Sequence, residues 1–210
     1  MSDTPAIEAW APWTPQQVTR RLSLVDAPWC IVGGWALDLW LGHETRPHHD
    51  IEIAVPRTAF AAIRAALETD CILYAAGGGT LRRLAPADPF PRDKHQCWVR
   101  DGEIWRLDVM QEPGDSDTWV FRRDERLTAP RSRLLRHTAS GIPYLAPEAV
   151  LLFKAKGSRD KDEADFTAAA PLLGAEARAW LADALIRTAP GHSWIARLGE
   201  PDGTRYTSSS

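Results

Sequence analysis

Apolar positions along the 210-residue chain change their period repeatedly, and each change marks an element. Thr14-Pro15 opens a first helix, Thr as N-cap and Pro at the first helical position, running to about Leu24. The dozen residues before it read as a loose arm. Trp29 to Val32 is a short apolar run between Pro28 and Gly33, which predicts a buried strand. Gly33-Gly34 predicts a tight turn, after which Trp35 to Leu41 has helical spacing that stops at Gly42. Residues 43–49 form a polar turn. Ile51, Ile53 and Val55 then alternate with Asp50, Glu52 and Ala54, the period of a strand.

Arg57 to Leu67 is an amphipathic helix and Ile72 to Ala75 a strand, followed by a flexible Gly77-Gly78-Gly79 turn and a proline-rich loop at 84–93. Gln96 to Arg100 and Glu103 to Met110 flank Asp101-Gly102, a hairpin signal, and Trp119 to Arg122 reads as a further strand. Beyond Pro147 only helices are expected. One runs through Leu151, Leu152 and Lys154, and a second starts where Asp160 and Glu163 have capping-box spacing. A third covers about Ala175 to Ala189, with Trp180, Leu181, Ala184 and Leu185 on one face. Strands and helices first, helices afterwards, is the order of an α/β or α+β domain (1–145) with a helical C-terminal part (146–205) and a frayed tail at 206–210.

Composition adds little to that outline and removes several functions. Hydrophobic residues at 44% and charged residues at 25% are ordinary for a folded domain. Ten tryptophans suggest a surface or cleft rich in aromatics. A net charge of −3, from 25 basic and 28 acidic residues, gives no pull toward nucleic acid or anionic membrane. Cys30, Cys71 and Cys97 are odd in number and lack CxxC spacing, which disfavours disulfides and zinc and fits a reducing compartment. No window reaches the roughly 20 apolar residues of a membrane span, and the N-terminus lacks a secretory pattern, so a cytoplasmic location is expected.

Asp50 and Glu52, two apart on a strand, point to one face while Ile51, Ile53 and Val55 enter the core. Adjacent carboxylates repel, and a hard divalent cation such as Mg2+ relieves them with oxygen donors alone; exposure to solvent relieves them too. Asp108 in "IWRLDVM" sits among apolar neighbours and requires a partner, either the same metal or an arginine such as Arg106 or Arg82. Gly33-Gly34 opens a helix N-terminus, where backbone N–H groups can approach a phosphate. No Walker loop and no GxGxxG is present. Lys154, Lys156, Arg159 and Lys161 form a basic run that is either a solvated face or a phosphate site.

The stretch "GGWALDLWLGHETRPHHDIEIAV" resembles the small antibiotic-modifying members of the nucleotidyltransferase superfamily, nearest to the aminoglycoside 2″-adenylyltransferase-like and lincosamide nucleotidyltransferase families. The resemblance rests on Gly33-Gly34-Trp35-Ala36, Asp38, Leu41-Gly42, Thr45-Arg46-Pro47-His48 and Asp50-x-Glu52, with a fainter match at "KGSRDKDEADF". It implies an α+β (α/β) fold, a polymerase-β-type domain with a mixed β-sheet flanked by helices plus a small helical C-terminal part. The implied reaction transfers a nucleoside monophosphate, AMP from ATP or the equivalent from another NTP, to a hydroxyl of a small molecule and releases pyrophosphate. An aminoglycoside-like, cationic acceptor and antibiotic resistance follow from the same likeness.

By that likeness Asp50 and Glu52 hold Mg2+, and Asp108 shares a metal or takes the acceptor's proton. Gly33 and Gly34 face the phosphates, and Arg46, Lys154 and Lys156 neutralise them. Relatives often carry Asp where this chain has Glu52, which reaches one methylene farther. Glu112, Asp115, Asp117, Trp98, Trp105 and Trp119 would suit a cationic, sugar-like acceptor, or are loop acids and core tryptophans. Three rivals stand beside this reading: a toxin–antitoxin-type transferase acting on tRNA or protein, a degenerate nucleotide-binding module, and a phosphohydrolase built on His48-His49-Asp50. A tRNA substrate calls for a basic surface that −3 does not supply, and the alternation from residue 50 opposes the helix that a His-Asp hydrolase needs.

Overall fold

Sheet pairing in the computed structural model, which describes residues 6–157 and 159–199, explains where the acidic residues end up. The first unit, through Ala146, contains α1 (Pro15–Arg21), β1 (Cys30–Val32), α2 (Gly33–Leu41), β2 (Glu52–Pro56), α3 (Phe60–Leu67), β3 (Ile72–Gly77), β4 (Thr80–Arg83), β5 (Gln96–Asp101) and β6 (Ile104–Glu112). It continues with β7 (Thr118–Val120), β8 (Thr128–Pro130), the single-turn α4 (Arg131–Leu134), β9 (Leu135–His137) and β10 (Pro143–Leu145). Eight strands form one mixed sheet in the order β4-β3-β5-β6-β2-β1-β10-β9; β7 and β8 pair separately. β2 runs parallel to β6 and β1 parallel to β10, and the other neighbours are antiparallel.

The middle of the sheet is covered on both faces. In β2, Ile53, Ala54, Val55 and Pro56 are all buried, so the alternation read from the sequence does not leave one face wet. α3 buries Phe60, Ile63 and Leu67, its i, i+3 and i+7 positions. Thr14 caps α1 as expected, in a reciprocal capping box with Gln17.

Several expectations are corrected. The described part of the N-terminal arm is not loose. Trp105 N donates to Ala9 O, Ala11 N to Trp105 O and Trp13 N to Arg106 O, which lays residues 9–13 along β6. Trp10 then packs on Trp98 and Trp105 at 5.1 and 6.4 Å between ring centroids, and Trp105 on Tyr74 at 5.1 Å. Trp105 and Trp119 are fully buried, so these tryptophans fill core and do not line a cleft. Gly33-Gly34 is no separate turn: β1 passes directly into α2, with Gly33 at φ +68°. Gly78-Gly79, both at positive φ, make a tight two-residue hairpin in place of a flexible loop.

The second unit, from Pro147, is helical in its described residues: α5 (Pro147–Lys154), α6 (Asp160–Ala169), α7 (Ala175–Thr188) and α8 (Ser193–Gly199), with a 3₁₀ turn after α6. The capping box expected from Asp160 does not form, because Arg159 is the N-cap residue and makes no side-chain cap. Glu163 instead accepts from Trp194 Nε1 at 2.7 Å and pairs with Arg197. Phe166 stacks on Trp194 with centroids 4.1 Å apart. No helix among the described residues is long and apolar enough to cross a membrane. The expected tail at 206–210 lies outside the described residues.

Candidate active site

Glu52 and Asp108 are register partners on the parallel strands β2 and β6, and Val32, the last residue before Gly33, is the partner of Glu52 on β1. Register neighbours share a sheet face, so the two carboxylates stand side by side at the point where β1 turns into α2. Gly33 closes the arrangement: a Cβ there would lie 2.5 Å from Glu52 Oε2. Only glycine meets both that approach and the left-handed backbone. Asp50 lies just before β2 and not on it, exposed; Ile51, between them, already accepts from Asp108 N through its carbonyl at 2.9 Å.

Asp108 is 4% exposed. One of its oxygens, Oδ2, accepts from Gln96 Nε2 at 2.7 Å, while Oδ1 is buried with no hydrogen-bond partner. Neither arginine considered from sequence reaches it by an ion pair: Arg106 pairs with Asp101 and donates to Ala11 O, and Arg82 donates to Pro89 O. Burial pushes the Asp108 carboxyl well above the usual range, the neighbouring charge of Glu52 adds to this, and Asp50 contributes less. Trp98, the β5 register partner of Asp108 and part of the Trp10–Trp98–Trp105 cluster, works against the rise through its indole N–H, as Gln96 does.

Arg46 and His48 reach back over the start of α2. A Cβ on Gly34 would meet Arg46 Nη2 at 2.6 Å and the His48 ring at 2.5 Å. The site of unit one therefore gathers Glu52 and Asp108 with Gly33, and Arg46 with Gly34. His49, of the HHD reading, is exposed and lies outside any helix. Among the described residues no three His, Cys, Asp or Glu side chains are already clustered tightly enough to hold a metal ion.

The remaining candidates are placed elsewhere. Lys154 is 8% exposed, its ammonium 2.6 Å from Asp165 and 3.4 Å from Asp162, and Arg159 pairs with Asp162 at 2.6 Å. Lys156 is exposed in the turn after α5. Glu112 is buried on Arg131 at 2.7 Å. Asp115 is exposed, but Oδ1 accepts from the Asp117 and Thr118 backbone, shaping its own turn. Gln96 escaped the sequence reading, as did the side-chain network of Asp38, Thr45 and His48; the spacing of "DLWLGHETRPH" puts Asp38 on a helix face and gives no sign of its distant partners.

A model of the family described as aminoglycoside-2″-adenylyltransferase matches residues 16–167. Among solved structures, the fold is similar to the crystal structure of ANT(2″)-Ia in complex with adenylyl-2″-tobramycin: TM-score 0.55, 21% identity, covering 83% of this chain and 96% of that one. It is also similar to the lincomycin-bound lincosamide antibiotic adenylyltransferase LnuA: TM-score 0.51, 17% identity, covering 75% and 96%. No curated protein matches the chain significantly in sequence. At these identities the two structures establish a shared nucleotidyltransferase fold.

Proposed function

Because the chain belongs to the aminoglycoside-2″-adenylyltransferase family, and so is a nucleotidyltransferase, we propose that it moves AMP from ATP to a hydroxyl of a cationic, aminoglycoside-like antibiotic. The observation that supports this most is the Glu52–Asp108 register pair beside Gly33, with one buried Asp108 oxygen lacking a partner. A structural acid would be fully hydrogen-bonded. An acid awaiting a cation or a proton is not.

Asp50, Glu52 and Asp108 fit a divalent cation such as Mg2+: each offers hard oxygen donors, and one Asp108 oxygen lacks a hydrogen-bond donor beside the register partner Glu52. When bound, such a cation would stabilise the charge developing on the phosphates and the attacking oxygen. The chain supplies the rest. Backbone N–H groups at the start of α2 donate to phosphate oxygens, and the missing side chains of Gly33 and Gly34 make room for Glu52, Arg46 and His48 beside them. Arg46 offsets their charge at Gly34. Lys154, held by Asp162 and Asp165, orders the start of α6.

Asp108 Oδ1 takes the acceptor's hydroxyl proton as the hydroxyl oxygen bonds to the α-phosphorus. The bond from that phosphorus to the bridging oxygen breaks, and pyrophosphate leaves with the electron pair. Positioning and charge complementarity account for the rate, since no covalent enzyme intermediate is needed. The test is a panel of aminoglycosides, lincosamides and tRNA incubated with Mg-ATP and analysed by mass spectrometry. The expected result is a gain of one AMP on an aminoglycoside, abolished by Asp50→Asn and Asp108→Asn. No gain on any aminoglycoside sinks the acceptor assignment, and a gain on tRNA alone replaces it.

A further inference from the structure

Asp38 lies in the middle of α2 and is 4% exposed. A carboxylate stays in such a place only with partners, and it has two from the loop before β2. Thr45 Oγ1 donates to Oδ1 at 2.6 Å, and His48 Nε2 lies 2.6 Å from Oδ2. The other ring nitrogen, His48 Nδ1, faces Arg46 Nη1 at 3.3 Å. A guanidinium can only donate, so Nδ1 accepts and the ring proton belongs on Nε2, directed at Asp38; the hydrogen-bond network fixes this assignment. Trp35 lies against the imidazole with ring centroids 4.5 Å apart, which limits its rotation. Arg46 Nη2 and the His48 ring lie over the bare Cα of Gly34.

We propose that Asp38 and His48 are positioning residues for Arg46: Asp38 orients the imidazole, and the imidazole aims the guanidinium at the N-terminus of α2, where a triphosphate is received. The inference rests on the nucleotidyl-transfer reading and adds to it two residues that touch neither substrate. Its physical basis is preorganisation. An arginine side chain loses rotamer freedom when it meets a phosphate, and a hydrogen bond that has already fixed it removes that loss from the binding step. Thr45, on the second oxygen, keeps Asp38 from turning away.

A purely structural tie between α2 and the loop predicts loss of stability and nothing specific to Arg46. The discriminating experiment measures Mg-ATP affinity by titration calorimetry on the full chain, with thermal unfolding alongside. His48→Ala and Arg46→Ala are each expected to weaken ATP binding roughly tenfold or more, the usual scale for hydrogen bonds to charged groups. The double variant should bind no more weakly than Arg46→Ala alone, because His48 acts only through Arg46. His48→Gln should recover most of the affinity, since its amide can donate to Asp38 and accept from Arg46. Asp38→Asn should weaken ATP binding as His48→Ala does, and Thr45→Val, a milder change, should give a smaller loss in the same direction and serves if Asp38→Asn does not fold.

Unchanged ATP affinity in His48→Ala, or additive losses in the double variant, overturns the positioning role and leaves the nucleotidyl-transfer reading standing. A wild-type chain that binds no ATP overturns that reading, and this inference with it.

Discussion

Replacing Asp108 with asparagine should make the metal-free protein more stable, the reverse of what most core substitutions do. Asp108 is nearly fully buried, with one oxygen held by Gln96 and the other unpartnered. Its charge is disfavoured first by burial and then by Glu52. Asparagine keeps the size and the oxygen that accepts from Gln96, and its amide can donate toward the Glu52 carboxylate on the next strand. A buried polar group left unsatisfied costs about 1–3 kcal/mol, and a charged one more. Allowing for imperfect geometry of the new amide, the gain should be about 1–2 kcal/mol, or roughly 2–8 °C in Tm for a chain of this size.

The assay is calorimetric unfolding at pH 8 in EDTA. The folded wild type binds a proton more readily than the unfolded chain does, because the Asp108 carboxyl is raised in the fold. Wild-type stability attributable to this group therefore increases as pH falls through that raised value, and the advantage of Asp108→Asn is largest at high pH and closes on acidification. Adding Mg2+ should raise the Tm of wild type and leave that of the variant nearly unchanged, since only binding to the folded state stabilises. An asparagine variant destabilised by about 1 kcal/mol or more in EDTA at pH 8 would make Asp108 a structural residue and refute the reasoning.

Three further outcomes follow from particular contacts. Gly33→Ala should cost about 1–2 kcal/mol for the left-handed backbone alone and displace Glu52, whose Oε2 would lie 2.5 Å from the new methyl; urea unfolding and pyrophosphate release should both suffer. Lys154→Met should lower stability by up to about 3–5 kcal/mol by removing the buried cation that faces Asp165 at 2.6 Å and Asp162 at 3.4 Å, with Asp162 still held by Arg159; unaltered urea midpoints with weakened ATP binding would instead make Lys154 a phosphate ligand. Trp10→Ala should cost about 2–3 kcal/mol, below the range for a fully buried Trp, by opening the cluster with Trp98 and Trp105; an unshifted Tm would return the arm to the loose segment the sequence suggested.

Much of the fold was legible because its long elements are strongly periodic. The alternation around Ile53 and Val55, the Thr14-Pro15 start and the Gly42 stop all correspond to elements of the structure. Short pieces toward the ends of the sheet were not. β4, β9 and β10 are four, three and three residues long, too few to display a period, and they exist because a neighbour supplies the ladder. The arm was missed for the same reason, since its bonds to β6 use backbone groups and leave no side-chain signature. Asp50 was placed on a strand because alternation cannot tell where pairing starts, whereas β2 begins at Glu52.

The position of Asp108 shows where counting along a sequence stops being enough. The turn fixes Asp101 opposite Ile104 and Arg100 opposite Trp105, and continuing that count would set Trp98 opposite Leu107. The observed partners are instead Val99 with Leu107 and Trp98 with Asp108, because the register shifts by one residue at Arg106. That one residue turns Asp108 onto the face of Trp98 and brings Gln96, its diagonal neighbour, within hydrogen-bond reach. Without it the buried carboxylate would lose its donor. The acid was readable from its apolar surroundings; the bulge that aims it was not.

Electrostatics then separates two acidic groups that the sequence presents alike. Asp162 is as buried as Asp108, and burial pushes its carboxyl up as well, but Arg159 and Lys154 outweigh this and hold it below the ordinary range. Its charge is satisfied within α6 and α5, so it stabilises the fold above that range and loses this contribution on acidification. Asp108 is shifted the opposite way, with a carboxylate as its nearest charged neighbour and an oxygen left over. A cation or a proton at that leftover oxygen would offset the shift. Within the basic run, Lys154 and Arg159 are paired with Asp162 and Asp165, while the acidic pair of Glu52 and Asp108 is where chemistry is expected.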